Sequence, residues 1–195
     1  MKYNKEQLNK ILKNGGVIAF VTDTVWGIGC LPDNINAIDK IYEIKGRDRS
    51  KPLILMSDEI KHLEKYVNGF PPTAQNLMKR FLPGALTLVL EKSKLTSDFI
   101  TSGLNTVGIR VPDNQTFNNI CKDIDGHVLA TTSANLSGQP SAKTYEEAVD
   151  FIGKYVDLVL KDGGNSAKGL ESTVVLVTKS EVKILRQGAV KIMAD

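Results

Sequence analysis

The sequence predicts a mixed α/β (α+β) sheet with flanking helices rather than a regular doubly wound sheet. Helix and strand patterns alternate only partly along the 195 residues, the stretch 86–111 shows no helix, and the chain ends in a β-hairpin pattern. The hydrophobic content of 42% is enough for one core, in one domain of ordinary size or at most two small ones. Because no repeat, low-complexity segment or linker divides the chain, we expect 1–195 to be a single domain.

The N-terminal half is predicted to begin with an amphipathic helix at 4–14, which Asn4 caps and two glycines end. The continuous apolar run at 17–21 is typical of a buried strand. The next predicted elements are a helix at 37–44, a strand at 52–56, a helix at about 58–67, and a helix that Thr73 caps and that stops before Pro83.

The C-terminal half is predicted to contain most of the strands. In chain order, the predicted elements are strands at 86–90 and 106–111, a helix at 114–122, a strand at 128–132, a helix at 144–152, a strand at 158–160, and a hairpin of 173–177 and 182–185 joined by a turn at 179–181.

Composition excludes several classes of protein. The net charge of +3 is a mild excess that does not by itself indicate nucleic-acid binding. No apolar run approaches the roughly 20 residues of a membrane span, and the polar N-terminus does not resemble a secretory signal. Cys30 and Cys121 lie far apart without a CxxC pair, and the chain has only two histidines, so we expect a cytoplasmic protein without a structural zinc site.

Standard nucleotide and nucleophile motifs do not fit this chain. Gly27 and Gly29 follow a strand, but Pro32 stands where a dinucleotide fingerprint needs its third glycine. The segment 164–171 has the glycine spacing of a P-loop without its Lys-Ser/Thr pair, and no GxSxG is present. Covalent catalysis is therefore not indicated.

Small polar side chains and four of the five arginines instead lie in loops or at predicted strand ends; Arg80, in a predicted helix, is taken as a surface residue. The cationic cluster 45–51 fits polyphosphate binding or a solvated turn, and Arg110 fits a carboxylate clamp or a structural ion pair. The hydroxyl and amide groups at 22–24 and 131–137 fit ligand binding or the stabilisation of turns and caps. Together they predict a cleft for an anionic ligand on one edge of the sheet.

Seven short segments, taken in order, carry a family resemblance. They are TDTVWGIG at 22–29, KGRDRSKPL at 45–53, PGALT at 83–87, VGIRVP at 107–112, TSANLSG at 132–138, STVV at 172–175 and LRQGA at 185–189. With them the chain resembles the YrdC/TsaC family, the threonylcarbamoyl-AMP synthases, over nearly its whole length. Three positions depart from the family pattern: Val21 and Ala85 where Pro is usual, and Trp26 where Tyr is usual.

The resemblance implies a single YrdC-like twisted domain with a large electropositive cavity, in the short form that lacks the extra C-terminal domain of longer relatives. It implies a nucleotidyltransferase that forms threonylcarbamoyl-AMP and pyrophosphate from L-threonine, bicarbonate or CO2 and ATP, for tRNA threonylcarbamoyladenosine modification. Mg2+ is expected to accompany ATP, without a protein metal site or a tightly bound organic cofactor. Downstream tRNA threonylcarbamoyl-transferase proteins are the implied partners, and no association with a membrane is implied.

Residue roles also follow from the resemblance. Lys45 and Arg47 would be the catalytic residues, because cations stabilise charge that develops on phosphate oxygens. The implied ATP site comprises Lys45, Arg47, Arg49, Thr106, Ser133, Asn135, Ser141 and Arg186. The implied L-threonine site comprises Thr22, Arg110, Thr131 and Ser172, with Arg110 on the substrate carboxylate.

Two other functions stay open from the sequence. The lysine excess and the cluster 45–51 fit an RNA-binding module of the same fold, with weak affinity for tRNA or double-stranded RNA and no synthase activity, although aromatic residues make up only 6% of the chain. The second open function is that of a carbamoyl-transfer domain like those of hydrogenase maturation proteins. Such domains lie in larger chains whose acylphosphatase-like and zinc-finger parts have no counterpart in this sequence.

Overall fold

A nine-stranded mixed sheet forms the centre of the computed structural model, which describes residues 3–179 and 181–192. The strand order is β7-β1-β2-β6-β3-β5-β4-β8-β9. The pairs β1–β7, β3–β5 and β4–β8 are parallel and the other neighbours are antiparallel, which confirms the predicted mixed sheet. The strands are β1 (Ile18–Phe20), β2 (Gly27–Cys30), β3 (Ile54–Ser57), β4 (Leu86–Glu91), β5 (Thr106–Arg110), β6 (Val128–Ser133), β7 (Leu158–Val159), β8 (Thr173–Val177) and β9 (Val182–Arg186).

Helices flank the sheet, and side chains cap several of them. Asn4, Asn34, Asn114 and Thr144 each accept a hydrogen bond from the backbone N–H three residues further on, which satisfies a donor that the first helical turn leaves free. Within the described part of the chain, no helix is both long and apolar enough to span a bilayer. The helices are α1 (Lys5–Lys13), α2 (Ile35–Lys45), α3 (Pro72–Phe81), α4 (Asp98–Thr101), α5 (Gln115–Asp123) and α6 (Tyr145–Ile152), with 3-10 turns at Ile60–His62 and Glu64–Tyr66.

The strand β2 is absent from the sequence prediction, because two of its four residues are glycines, which are depleted in strands. A Cβ on Gly27 would lie 2.9 Å from Cε2 of Phe20, and one on Gly29 would lie 3.1 Å from Cε1 of the same ring. The glycines therefore allow β2 to pair with β1 beside the Phe20 side chain.

Three helix predictions were wrong. The segment 58–67 forms two 3-10 turns, whose three-residue spacing also buries Leu63 and Tyr66. Thr73 lies inside α3, which starts at a Pro71 N-cap without a side-chain hydrogen bond. The stretch 86–111 contains the single-turn helix α4, which Ser97 caps. The predicted turn at 179–181 includes Ser180, which lies outside the described residues, whereas the β8–β9 hairpin is confirmed.

The two faces of the sheet are covered differently. On one face, strand residues such as Leu55, Leu88 and Ile109 belong to the larger core, which also includes Ile38 and Ile41 of α2. The opposite face carries a smaller core, in which Ile18, Phe20 and Leu129 pack with α1 and α5. This smaller core covers only one end of its face and leaves the strands β5, β4 and β8 to line an opening.

Candidate functional site

A cavity of about 860 Å³ lies over the uncovered part of that second sheet face. Alternate residues of β6, β3, β5, β4 and β8 form its floor, and the segments 22–26 and 47–53 and the end of β9 complete its lining. The prediction of a cleft at one sheet edge was therefore wrong in position. The cavity lies over a face, because small and polar side chains there neither fill the space nor offer an apolar surface for a helix to cover.

Small residues keep the cavity floor open. Thr87, Gly108 and Thr131 contribute to it from three different strands. A Cβ on Gly108 would lie 2.7 Å from Cγ2 of Ile54, so even alanine would press into the floor. This close approach explains the glycine of the VGIRVP segment.

All four residues of the implied L-threonine site line the cavity: Thr22, Arg110, Thr131 and Ser172. The Thr131 hydroxyl donates to the carbonyl of Ile54 at 3.1 Å, which fixes it against β3. The Ser172 hydroxyl lies 2.9 Å from that of Thr87 on the neighbouring strand. The structure thus brings together residues from four separate sequence segments.

Arg110, the last residue of β5, is held by three fixed contacts. Its guanidinium donates to the Gly84 carbonyl at 3.0 Å, to Thr24 Oγ1 at 2.8 Å and to Asp23 Oδ1 at 2.6 Å. Burial lowers its pKa and the Asp23 carboxylate opposes this shift, so the ion pair, one of the two interpretations drawn from the sequence, is present. Anion binding by the same side chain stays a prediction. These three bonds engage three of the five guanidinium N–H groups and orient the others beside the cavity.

Four residues of the implied ATP site also line the cavity: Arg47, Thr106, Ser133 and Arg186. Arg47 donates to Thr132 Oγ1 at 2.7 Å and to the Pro52 carbonyl at 3.2 Å, while its buried Nε has no hydrogen-bond partner among the described residues. Burial lowers the pKa of this guanidinium. A guanidinium on a cavity wall is suited to an anionic ligand.

Lys45 does not line this cavity, although it is only two residues from Arg47. Its Nζ donates to the Ser133 carbonyl at 2.6 Å and to the carbonyl and Oδ1 of Asn135, both at 2.8 Å. Gly46, with φ of +54°, ends α2 and turns the chain so that the two cations diverge. Burial, followed by the nearby Arg47, lowers the pKa of Lys45 to about 7, and Glu171 opposes the shift.

The other three residues of the implied ATP site also lie outside the cavity lining. Asn135 holds its own loop, because its Nδ2 donates to the carbonyls of Leu136 and Gln139. Arg49 is exposed and pairs with Asp39 at 2.5 Å, and Ser141 donates to Glu171 at 3.1 Å. Direct ATP contacts from these side chains and from Lys45 stay a prediction.

Glu171 is a cavity residue that the sequence analysis missed. Its carboxylate accepts a hydrogen bond from Ser141 and forms an ion pair with Arg186. Arg186 also donates to the Ser172 carbonyl at 2.9 Å, so Glu171 and Arg186 together link Ser141 of the implied ATP site to Ser172 of the implied L-threonine site. Its position directly before the STVV segment was the available signal.

Comparison with known proteins decides the family. The family model of Sua5, YciO and YrdC, described as telomere recombination, matches residues 10–188. The chain belongs to the Sua5/YciO/YrdC family. This membership confirms the resemblance drawn from the seven sequence segments.

Relatives within the Sua5/YciO/YrdC family differ in length. The threonylcarbamoyl-AMP synthase of Bacillus subtilis is 41% identical over 186 residues, which are 94% of this chain and 53% of that protein. The protein of the same name from Vibrio vulnificus (strain YJ016) is 37% identical over 162 residues, 82% of this chain and 87% of that one. A crystal structure of Pyrococcus abyssi Sua5 complexed with L-threonine has a TM-score of 0.87 and 32% identity, and the match covers 96% of this chain and 56% of that chain.

This Sua5/YciO/YrdC chain therefore spans about half the length of its Bacillus and Pyrococcus relatives and most of the Vibrio one. The similarity to Sua5 confirms the predicted twisted mixed sheet with flanking helices.

Proposed function

We propose that this protein is an L-threonylcarbamoyladenylate synthase, a nucleotidyltransferase that uses L-threonine, bicarbonate or CO2, and ATP. One observation carries the proposal: the four side chains implied for L-threonine meet in one cavity with Arg47 and Arg186. The names of the Bacillus and Vibrio relatives and the L-threonine complex of the Pyrococcus relative support the synthase over an RNA-binding module.

The reaction needs no protein nucleophile. The threonine amine and CO2 form a carbamate with loss of a proton, and a carbamate oxygen then forms a bond to the α-phosphorus of ATP. The bond to the pyrophosphate oxygen breaks, and pyrophosphate leaves with the electron pair. The protein therefore contributes positioning and charge stabilisation, which cations beside the phosphates supply.

Within this scheme, Arg110 holds the threonine carboxylate through guanidinium N–H groups that its bonds to Asp23, Thr24 and Gly84 leave available. Arg47 and Arg186, which line the same cavity, neutralise phosphate oxygens. Lys45 acts through position, since its three hydrogen bonds join the end of β6 at Ser133 to the loop residue Asn135.

Mg2+ would be bound to the phosphates of ATP. Mg2+ sites of this kind use one or two carboxylates beside the phosphate oxygens and retain several waters. Among the described lining residues, Glu171 supplies a carboxylate, so the cavity fits this role. We further infer that the product passes to tRNA threonylcarbamoyl-transferase proteins in the cytoplasm.

The decisive experiment incubates the protein with MgATP, labelled bicarbonate and L-threonine and measures pyrophosphate together with the labelled adenylate. We expect pyrophosphate release that requires both L-threonine and bicarbonate. Arg47→Met should lower turnover by at least about tenfold, because one electrostatic donor to a transition state contributes a few kcal/mol. Pyrophosphate release that is independent of L-threonine would contradict the synthase.

The exposed Arg80 provides a matched control for this experiment. It lies on α3 with its guanidinium 5.0 Å from the centre of the Phe81 ring, and it does not line the cavity. Arg80→Met removes the same charge and should leave turnover within about twofold of the wild-type value, because surface substitutions away from a site have small effects. Equal losses in Arg47→Met and Arg80→Met would show that net charge, and not the cavity, matters.

A further inference from the structure

A cluster of metal-ligating side chains lies outside the cavity. Asp58, His62 and His127 each place one ligand atom within 4.8 Å of the others. The two histidines are the only ones in the chain, and their rings stack with centroids 4.2 Å apart at 12°. None of these side chains contributes to the proposed synthase site.

The sheet register brings these residues together. Ser57 at the end of β3 pairs with Val128 at the start of β6, so Asp58 and His127 extend from adjacent ends of one antiparallel ladder. The Ser57 hydroxyl donates to the His127 carbonyl at 2.8 Å and fixes that end. His62, at the end of the 3-10 turn Ile60–His62, completes the cluster from a separate element.

Two buried polar atoms in the cluster lack partners among the described residues, namely Asp58 Oδ2 and His127 Nδ1. The Asp58 side chain is 2% exposed, whereas those of His62 and His127 are 22% and 36% exposed. A buried carboxylate oxygen and a ring nitrogen without hydrogen bonds are costly in an apolar setting. A cation held by both carboxylate oxygens of Asp58 and by His127 Nδ1 would satisfy both atoms, and the exposed edges of the histidines give it access from solvent.

The distances fit a small transition-metal ion. Asp58 Oδ1 lies 3.3 Å from His127 Nδ1 and 3.9 Å from His62 Nε2. Ligands of a tetrahedral ion at about 2.0–2.2 Å are about 3.3–3.6 Å from one another, so Asp58 and His127 already have this spacing. The partly exposed His62 has to move inward and turn out of its stack on His127, because an imidazole binds a metal ion in the plane of its ring. His127 has φ of +59°, an uncommon conformation outside glycine, and this conformation positions its ring beside Asp58.

We propose that Asp58, His62 and His127 bind a divalent transition-metal ion such as Zn2+, with water at the remaining position. Two imidazole nitrogens and one carboxylate suit Zn2+ and its neighbours in the series, whereas Mg2+ prefers oxygen ligands. The ion links the 3-10 turn to the ends of β3 and β6. Asp58 and His62 are four residues apart, but His127 lies far along the chain and no Cys pair takes part, so sequence spacing gave no sign of this site.

The test uses the full chain without a polyhistidine tag, stripped with chelator and desalted. Zn2+ is titrated by calorimetry, and the imidazole signals of the two histidines are followed by NMR. We expect one equivalent of Zn2+ to bind and to shift both histidines together. Binding without a shift of either histidine, or no binding at all, would overturn the proposal.

Variants test the ligand set. His127→Asn keeps a residue that tolerates positive φ, and His62→Gln keeps a polar side chain, so neither change requires refolding of the backbone. Each variant should weaken Zn2+ binding by at least about tenfold, because even the loss of a residue that only hydrogen-bonds to a metal ligand has an effect of this size. Glu59→Gln removes an exposed carboxylate beside the cluster and serves as the matched control that should bind Zn2+ as the wild type does. Unchanged affinity in both histidine variants would refute the assignment.

Discussion

At the scale of single residues, the ion pair of Arg110 and Asp23 is nearly removed from solvent, with side chains 3% and 5% exposed. Arg110→Met leaves the Asp23 carboxylate buried without its cation, and we expect a loss of about 3–5 kcal/mol in the free energy of unfolding. Urea unfolding of the wild type and of Arg110→Met measures this loss. The double variant Arg110→Met/Asp23→Ala should lose less than the sum of the two single variants, and strict additivity would show that the two groups are not coupled.

Lys45 makes the stability depend on pH. Its pKa in the folded protein is lowered to about 7, whereas an unfolded lysine titrates near ~10.4. Between these values the unfolded chain binds more protons, so the free energy of unfolding should rise with pH by up to about 1.4 kcal/mol per unit. This stability is lost as the pH falls through 7. Unfolding measured from pH 6 to pH 10 checks the slope.

Lys45→Met is the control for that slope, because it removes the titrating group and should flatten the pH dependence over the same window. The opposite result, an equal slope in the wild type and Lys45→Met, also has a structural basis. The three oxygen atoms that accept from Nζ favour the charged ammonium, which has three N–H donors. If wild type and Lys45→Met show the same slope, these acceptors hold the proton on Lys45 throughout.

At the scale of elements, β2 depends on its glycines. A Cβ at Gly27 meets Cε2 of Phe20 at 2.9 Å, so Gly27→Ala should destabilise the protein by about 1–3 kcal/mol. In a Phe20→Leu background the ring is absent and the penalty for Gly27→Ala should shrink. Thermal unfolding of the four proteins gives both values. An equal penalty in both backgrounds would contradict the ring contact as its cause.

The elements that the sequence predicted best are the capped helices. Asn4, Asn114 and Thr144 mark the starts of α1, α5 and α6, because an N-cap acts through a contact only three residues away. The segment 58–67 and β2 were mispredicted for a different reason. Their conformations depend on partners distant in sequence, such as β6 for β2.

At the scale of the whole molecule, ligands in the cavity should stabilise the fold. The ligands are L-threonine and the magnesium complex of an ATP analogue that has a methylene between the α- and β-phosphates. Because this analogue cannot release pyrophosphate, the measurement reports binding alone. At a hundredfold excess over Kd we expect about 2.7 kcal/mol of stabilisation, or about 5–10 °C in Tm. Alanine in place of L-threonine is the control, and an equal shift with alanine would contradict a threonine-specific site.

The sequence by itself determined the capped helices, most strands, the mixed character of the sheet and the family, because these depend on local patterns and on the order of short segments. The tertiary structure alone decided which side chains meet. It directs Arg47 to the cavity and Lys45 beneath a loop, since Gly46 turns the chain between them. It also brings His127 to Asp58 and His62 through the pairing of β3 with β6. Such contacts join residues far apart along the chain, and no local pattern encodes them.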